Sequence, residues 1–313
     1  MTARVADRLA ILGLGLLGGS VALAARRRGL AGEIVGSGRS RESVAAAERS
    51  GAFDALVPLD EAVRGADLVL LATPVSAMAG VLRRAAPALA TGCVVTDVGS
   101  VKGALTETLP GLLPPGVRFV GSHPMAGSHE RGLQHARADL FEGAVCLVTP
   151  TPDSDARAVA KVEALWRGVG GRVERCSPGA HDTAVAWVSH VPHAVAFAFG
   201  AALRSSPPGV TALAGPGFRD FTRIARSDAE LWSEILTLNR KALAGPLEAF
   251  SQRLSELAHA IDAGDADAVA RLLTEARENL APAAGRPEFQ ARSGGENPEI
   301  QDRPEWRAVP KGE

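Results

Sequence analysis

The chain has 313 residues, 46% of them hydrophobic, with a formal net charge of −1 and a mean hydropathy of +0.07. That length admits two domains with a sizeable core, and the near-neutral charge leaves no electrostatic case for nucleic acid or an acidic membrane surface. The three cysteines, Cys93, Cys146 and Cys176, are far apart and form no CxxC; they read as reduced core residues of a cytoplasmic protein, not as a disulfide framework or metal site.

Taken in chain order, RLAIL (8–12) reads as a buried strand, followed by a glycine-rich turn and a helix ending near Arg28. The 17 uncharged residues from Leu9 to Ala25 have the length of a secretory leader or a short membrane span. Four glycines inside the run argue against a membrane helix. Next come a strand at EIVGSG (33–38), a helix around 41–50 and a strand at ADLVLLATP (66–74). After a further helix, CVVTDVGS (93–100) and RFVGSHP (118–124) read as strand-then-loop units. GAVCLVTP (143–150) and RVERCSP (172–178) add strands around a helix near 155–168. Strands alternating with helices imply a parallel sheet wound on both faces.

Beyond Pro178 no convincing strand follows. HDTAVAWVSHVPHAVAFAFGAAL (181–203) reads as one long apolar helix, kinked at Pro192, which lacks a backbone donor. From Pro246, the residues Leu247, Phe250, Leu254, Leu257 and Ile261 step by 3, 4, 3, 4, a heptad seam suited to helix pairing within or between subunits. Gly264 ends this helix and Asp265 can cap the next. From about Pro282 the chain turns polar and reads as a disordered tail. The expected division is a dinucleotide-binding domain over 1–178, a helical substrate and dimerisation domain over 179–283 and a tail over 284–313.

Gly13-Leu14-Gly15-Leu16-Leu17-Gly18 is a GxGxxG placed directly after a strand and opening a helix. Its first glycine permits a tight turn, and its second lets the backbone approach a pyrophosphate that the helix N-terminus favours. Gly13, Gly15, Leu16, Leu17 and Gly18 are thus cofactor candidates in an α/β Rossmann-type doubly wound sheet, with Thr73 and Pro74 at the end of the ADLVLLATP strand. An NAD site usually carries an acid at the end of the second strand. Here that position runs into Arg39, Ser40 and Arg41, whose guanidinium groups suit a 2′-phosphate. The cofactor is NAD or NADP, and the two arginines favour NADP or dual use over strict NAD.

GSHPMAGSHERG (121–132) is aperiodic and reads as a tightly bent loop carrying His123 and His129. Together with GLGLLGGS, TDVGSVKG, SHVPHAVAFA and GFRDFTRIARSD, GSHPMAG resembles the prephenate dehydrogenase family of tyrosine biosynthesis, which includes arogenate and cyclohexadienyl dehydrogenases. The resemblance runs from about residue 8 to about 280. It implies a nucleotide-binding domain plus an all-helical dimerisation domain, with the active site between them and a homodimer as the assembly. It also implies NAD(P)-dependent oxidative decarboxylation of prephenate or arogenate.

Residue by residue, the resemblance makes His123 the catalytic base, which needs a neutral imidazole fixed within reach of the substrate hydroxyl. Ser100 becomes its partner at the reacting centre, although the same serine could cap a helix beginning at Val101. Arg223 would grip the ring carboxylate, against an ion pair with Asp220 as the plainer reading. His190 and His193 share a helix face. They would line the substrate pocket with Ser128 and Gly217, although core histidines with satisfied hydrogen bonds are a fair alternative. A metal pair at these histidines lacks a third ligand, so no metal is expected. His129 departs from relatives that carry an acid there, with Glu130 displaced by one position. The competing readings are another Rossmann enzyme, of the β-hydroxyacid dehydrogenase or imine reductase type, and a dinucleotide-binding regulator without catalysis.

Overall fold

In a computed structural model, which describes residues 4–127, 130 and 132–280, six parallel strands form one sheet in the order β3-β2-β1-β4-β5-β6. The strands are β1 (Ala6–Leu12), β2 (Ala31–Ser37), β3 (Ala55–Leu56), β4 (Leu68–Leu71), β5 (Val94–Asp97) and β6 (Arg118–Phe119). β4 and β5 are buried along their whole lengths, as strands covered on both faces must be. One face packs Ile11, Val21, Leu68, Leu70 and Trp166. The other packs Leu12, Leu71, Met78, Leu82 and Leu109. The crossover helices are α1 (Leu16–Arg28), α2 (Arg41–Ser50), α3 (Leu59–Val63), α4 (Val75–Ala85) and α5 (Gly103–Thr108).

Local chemistry sets their ends. Ser40 caps α2 by accepting the Ser43 N–H, and Gly29 closes α1 in the left-handed region at φ +65°. Arg26, Arg27 and Arg28 lie in the last turn of α1, where the helix dipole favours cations. The charge-free run from Leu9 to Ala25 divides into β1, a glycine turn and α1.

Three further strands form a second sheet, which the sequence reading had folded into the first. These are β7 (Gly121–Pro124), β8 (Val145–Thr149) and β9 (Arg172–Arg175), with α6 (Ala156–Gly168) between the last two. β7 pairs antiparallel with β8, placing His123 opposite Leu147, and β8 pairs parallel with β9. The RFVGSHP segment therefore splits at Val120 between the two sheets. His123 sits on a strand rather than on the expected loop. Pro124 is tolerated there because β7 is an edge strand and Pro124 its last residue.

After β9 the remaining described elements are helical: α7 (Pro178–Val185), α8 (Val191–Ala202), α9 (Pro216–Arg223), α10 (Ala229–Leu238), α11 (Arg240–Asp262) and α12 (Ala266–Leu280). The expected single helix over 181–203 is interrupted by a π-helical turn at Ala186–His190, just before Pro192. A residue without an N–H breaks the regular ladder, and the extra-wide turn absorbs the mismatch. The Pro178–Ser205 stretch is long and apolar enough by composition to cross a membrane. It is split by that turn and buries His181, Asp182 and His190. The heptad helix begins earlier than expected, at Arg240, and carries Pro246 inside it. Gly264 ends it at φ +66°, and Asp265 caps α12 by accepting the Ala268 N–H at 2.8 Å. The expected tail over 284–313 lies outside the described residues. The three cysteines are free and buried.

Candidate active site

Because the large sheet is parallel, the loops after β1, β2, β4 and β5 all leave at one edge, and β1 and β4, where the strand order reverses, are neighbours there. Backbone bonds hold these loops together: Gly13 N–H donates to the Ser37 carbonyl at 3.0 Å, and Ala72 N–H to the Leu12 carbonyl at 2.8 Å. Gly13 has φ +122°, and a Cβ on it would lie 2.4 Å from the Ala72 carbonyl oxygen. A Cβ on Gly15, by contrast, would meet nothing within 4 Å. Gly15 caps α1 without any side-chain hydrogen bond, so the helix opens onto that space with its backbone donors unclaimed by side chains. At the same edge the Thr73 hydroxyl is buried with no hydrogen-bond partner among the described residues. An open cradle, an uncapped helix N-terminus and an orphaned hydroxyl are what a dinucleotide pyrophosphate and ribose require. Pro74, Arg39, Ser40 and Arg41 are exposed at this edge, the last three beyond β2.

The loop from Asp97 to Lys102 is stitched to β7. Asp97 accepts the Ser122 N–H at 3.1 Å, and its backbone carbonyl accepts the Ser122 hydroxyl at 2.6 Å. The Lys102 ammonium, fully buried, pairs with the Asp97 carboxylate and donates to the Ser122 carbonyl at 2.7 Å. Burial pushes the Lys102 pKa down, against the pull of Asp97. Trp166 on α6 donates its indole N–H to the Ser122 hydroxyl at 2.9 Å. The residue next to His123 is thus held by Asp97, Lys102 and Trp166, which fixes the direction of the imidazole.

His123 is half-buried, and its Nδ1 lies 2.9 Å from His181 Nε2. Burial pushes its pKa well below the ordinary imidazole value, with the neighbouring His181, Lys102 and His190 adding to the effect. His181, on α7, is buried and sits 2.8 Å through Nδ1 from the Asp182 carboxylate. Asp182 also accepts the backbone N–H groups of Lys102, at 2.8 Å, and Gly103, at 2.9 Å. Burial pushes the Asp182 pKa up, but these donors together outweigh it and leave the carboxyl below its usual range.

Asp182 therefore caps α5. The sequence reading began this helix at Val101 and left a cap as the alternative role of Ser100; the helix starts at Gly103, because Val101 is buried against Trp232 and Ile235 and the Lys102 side chain turns in to Asp97. Ser100 is left half-exposed on the loop, with no hydrogen bond among the described residues.

A chain of contacts leads from here across the helices. Asn239 donates to the Asp182 carbonyl and to His190 Nδ1, each at 2.9 Å. Burial is the main force pushing the His190 pKa down to about 4. His190 is 1% exposed and hydrogen-bonded, the condition of a satisfied core histidine. It meets Trp232 edge-on, and His193 stacks against the same indole, with ring centroids 3.5 Å apart. His193 donates Nδ1–H to the Ser189 carbonyl at 2.9 Å, and its Nε2 has no partner among the described residues. Burial lowers its pKa, and the nearby Arg223 guanidinium acts in the same direction. Arg223 is exposed at the end of α9 and forms no ion pair with Asp220 or any other described carboxylate. Gly217 is exposed in the first turn of α9. Ser128 and His129 lie outside the described residues. Glu130 pairs with His135 at 3.0 Å. No group of three or more potential metal ligands occurs among the described residues.

His181, Asp182, Lys102 and Asn239 had no part in the sequence reading of the site. One signal was available: His181-Asp182 opens an otherwise apolar helix, where an acid beside a histidine needs partners.

A nucleotide-binding sheet, a helical partner and a half-buried, neutral imidazole at their junction define a dinucleotide-dependent oxidoreductase. Comparison narrows this further. The family description "Prephenate dehydrogenase, nucleotide-binding domain" matches residues 21–175, and "Prephenate dehydrogenase, dimerization domain" matches 177–275. The prephenate dehydrogenase of Bacillus subtilis is 32% identical over 277 residues, covering 87% of this chain and 75% of that protein. The cyclohexadienyl dehydrogenase of Zymomonas mobilis is 38% identical over 214 residues, covering 67% and 72%. Among solved structures, prephenate dehydrogenase from Aquifex aeolicus, in complex with hydroxyphenyl propionate and NAD+, superposes with a TM-score of 0.81 at 33% identity, covering 89% of this chain and 98% of that one. Synechocystis arogenate dehydrogenase gives 0.74 at 32%, covering 87% and 98%. The chain belongs to the prephenate dehydrogenase family.

Proposed function

We propose that this chain is a cytoplasmic, NAD(P)-dependent prephenate dehydrogenase of tyrosine biosynthesis. It converts prephenate to 4-hydroxyphenylpyruvate with loss of CO2, and arogenate to tyrosine by the same chemistry. The observation that carries the reading is the His123 imidazole, kept neutral and bound through Nδ1 to His181, on a strand tied through Ser122 to Asp97 and Lys102 at the carboxyl end of β5.

Gly13, Gly15, Leu16, Leu17, Gly18, Thr73 and Pro74 would hold the dinucleotide. When bound, its nicotinamide supplies the hydride acceptor. Arg39 and Arg41, exposed and without a carboxylate partner among the described residues, suit a 2′-phosphate, so NADP is used alongside or ahead of NAD. His123 accepts the ring-hydroxyl proton on Nε2, and Ser100 orients that hydroxyl. Arg223 grips the ring carboxylate with its planar fork and releases it as CO2 leaves with its bonding pair remaining in the ring. His123 then returns a proton to the phenolic oxygen. His193, whose Nε2 has no partner among the described residues, meets the substrate side chain, Gly217 borders the pocket, and His190, fully buried, supports it through Trp232 rather than touching substrate.

The active unit is a homodimer through the helices. Phe199, Phe221, Leu254, Ile261 and Leu273 are exposed on those helices and would be covered by a second copy. Mixing the purified chain with prephenate or arogenate and NAD+ or NADP+, and following reduced-nicotinamide absorbance, tests the proposal. Turnover of prephenate is expected, and no turnover with any of the four pairs overturns it.

A further inference from the structure

An imidazole can take a proton only through a nitrogen that carries a lone pair, and a neutral histidine has one such nitrogen. Which one His123 offers is set by its neighbours. Asp182 Oδ1 accepts from the Lys102 N–H and Oδ2 from the Gly103 N–H, and a backbone N–H can only donate. Both oxygens therefore act as acceptors. His181 Nδ1, 2.8 Å from Asp182 Oδ1, must carry the hydrogen of that bond. Neutral His181 then holds its lone pair on Nε2, which lies 2.9 Å from His123 Nδ1. His123 must donate there from Nδ1–H, and its lone pair is left on Nε2.

We propose that His181 and Asp182 are positioning residues that lock His123 in the tautomer able to accept the substrate proton. The inference rests on His123 as the base of the dehydrogenase reaction. The charged and titratable groups facing the pair are Lys102 and Asp97 from the loop after β5, Asp182 from α7, and His190 from the π-turn. When His123 takes the proton on Nε2, the new positive charge stands one ring away from the Asp182 carboxylate, which favours it. Asp182 reaches His181 on its own helix while capping α5 of the nucleotide-binding part, so docking of the helices on the sheet and readiness of the base depend on one carboxylate. Orientation of a catalytic imidazole by a buried carboxylate is a general device. Here a second imidazole is interposed.

The test uses the full chain with 15N-labelled histidine, assigning the His123 resonances by their loss in His123→Asn. In the wild type at neutral pH, the His123 hydrogen is expected on Nδ1. Asp182→Asn with its amide donor toward His181 Nδ1 keeps an acceptor for the Gly103 N–H but gives up the one for the Lys102 N–H. His181 then protonates on Nε2, and His123 is forced to carry its hydrogen on Nε2. The expected loss in prephenate kcat is on the order of 10²- to 10⁴-fold, with KM little changed. His181→Gln retains an acceptor for His123 Nδ1–H and is expected to lose less than Asp182→Asn.

A His123 hydrogen on Nε2 in the wild type overturns the proposal, as does an Asp182→Asn enzyme with unchanged tautomer and wild-type kcat. If Asp182→Asn does not fold, the wild-type tautomer and the His181→Gln rate decide. A wild type with no turnover on prephenate defeats the functional reading alone, because the nitrogen resonances still report the tautomer.

Discussion

Glu234 on α10 accepts two hydrogen bonds from Ser76, one from the backbone N–H at 2.5 Å and one from the hydroxyl at 2.8 Å. Ser76 lies in the first turn of α4, whose own N-cap, Pro74, offers no side-chain acceptor. A helical-domain carboxylate therefore caps α4 as Asp182 caps α5, and both caps bridge the two parts of the chain. Glu234→Ala is expected to lower stability by about 1 kcal/mol in urea unfolding, the usual cost of a lost cap, and to raise the KM for dinucleotide because α4 follows Thr73 and Pro74. Unchanged stability would show that the bridge carries no weight.

At the end of β2, Arg39 and Arg41 are exposed and the usual acid is missing. The double variant Arg39→Ala, Arg41→Ala is expected to weaken NADP binding more than NAD binding, by about tenfold or more, since each charge-assisted contact is worth about 1.5 kcal/mol. Titration of both dinucleotides by fluorescence checks this. Equal losses would remove the 2′-phosphate assignment.

Arg223 approaches His193, which stacks on Trp232, and has no carboxylate partner of its own among the described residues. A guanidinium left unpaired beside a pocket is available to an anion. Arg223→Ala is expected to raise the prephenate KM on the order of 10²-fold, with Arg223→Lys intermediate because an ammonium keeps the charge but loses the fork. Steady-state kinetics decide, and an unchanged KM places Arg223 outside the pocket.

The histidines also set a dependence of stability on pH. His190 titrates at about 4 in the folded chain, against 6.5 when free. Between those values the unfolded chain binds more protons, so stability rises with pH across the window and falls as pH drops from 6.5 toward 4. The full contribution of this one group is on the order of 3 kcal/mol. Urea midpoints measured from pH 4 to 7 are expected to climb, and His190→Gln to flatten the slope. A flat wild-type profile would contradict the burial argument.

The large sheet was legible in the sequence because continuous apolar strands separated by glycine turns leave few alternatives, and α2 and α6 lie where their caps put them. The second sheet was not legible. β7 is four residues long, begins with glycine and ends in proline, so neither alternation nor composition marks it as a strand. His123 stood out through its motif, whereas His181 and Asp182 did not, since their meaning lies in a contact to a residue 58 positions away. The start of α5 was misplaced for the same reason: its cap is supplied by a carboxylate 79 residues on.

Replacing His123 tests the central claim most directly. In His123→Asn, dinucleotide binding measured by titration is expected to match the wild type, while single-turnover reduction of NAD+ or NADP+ by prephenate falls at least on the order of 10³-fold. A variant that binds dinucleotide and still reduces it at the wild-type rate would contradict the assignment of this imidazole as the base.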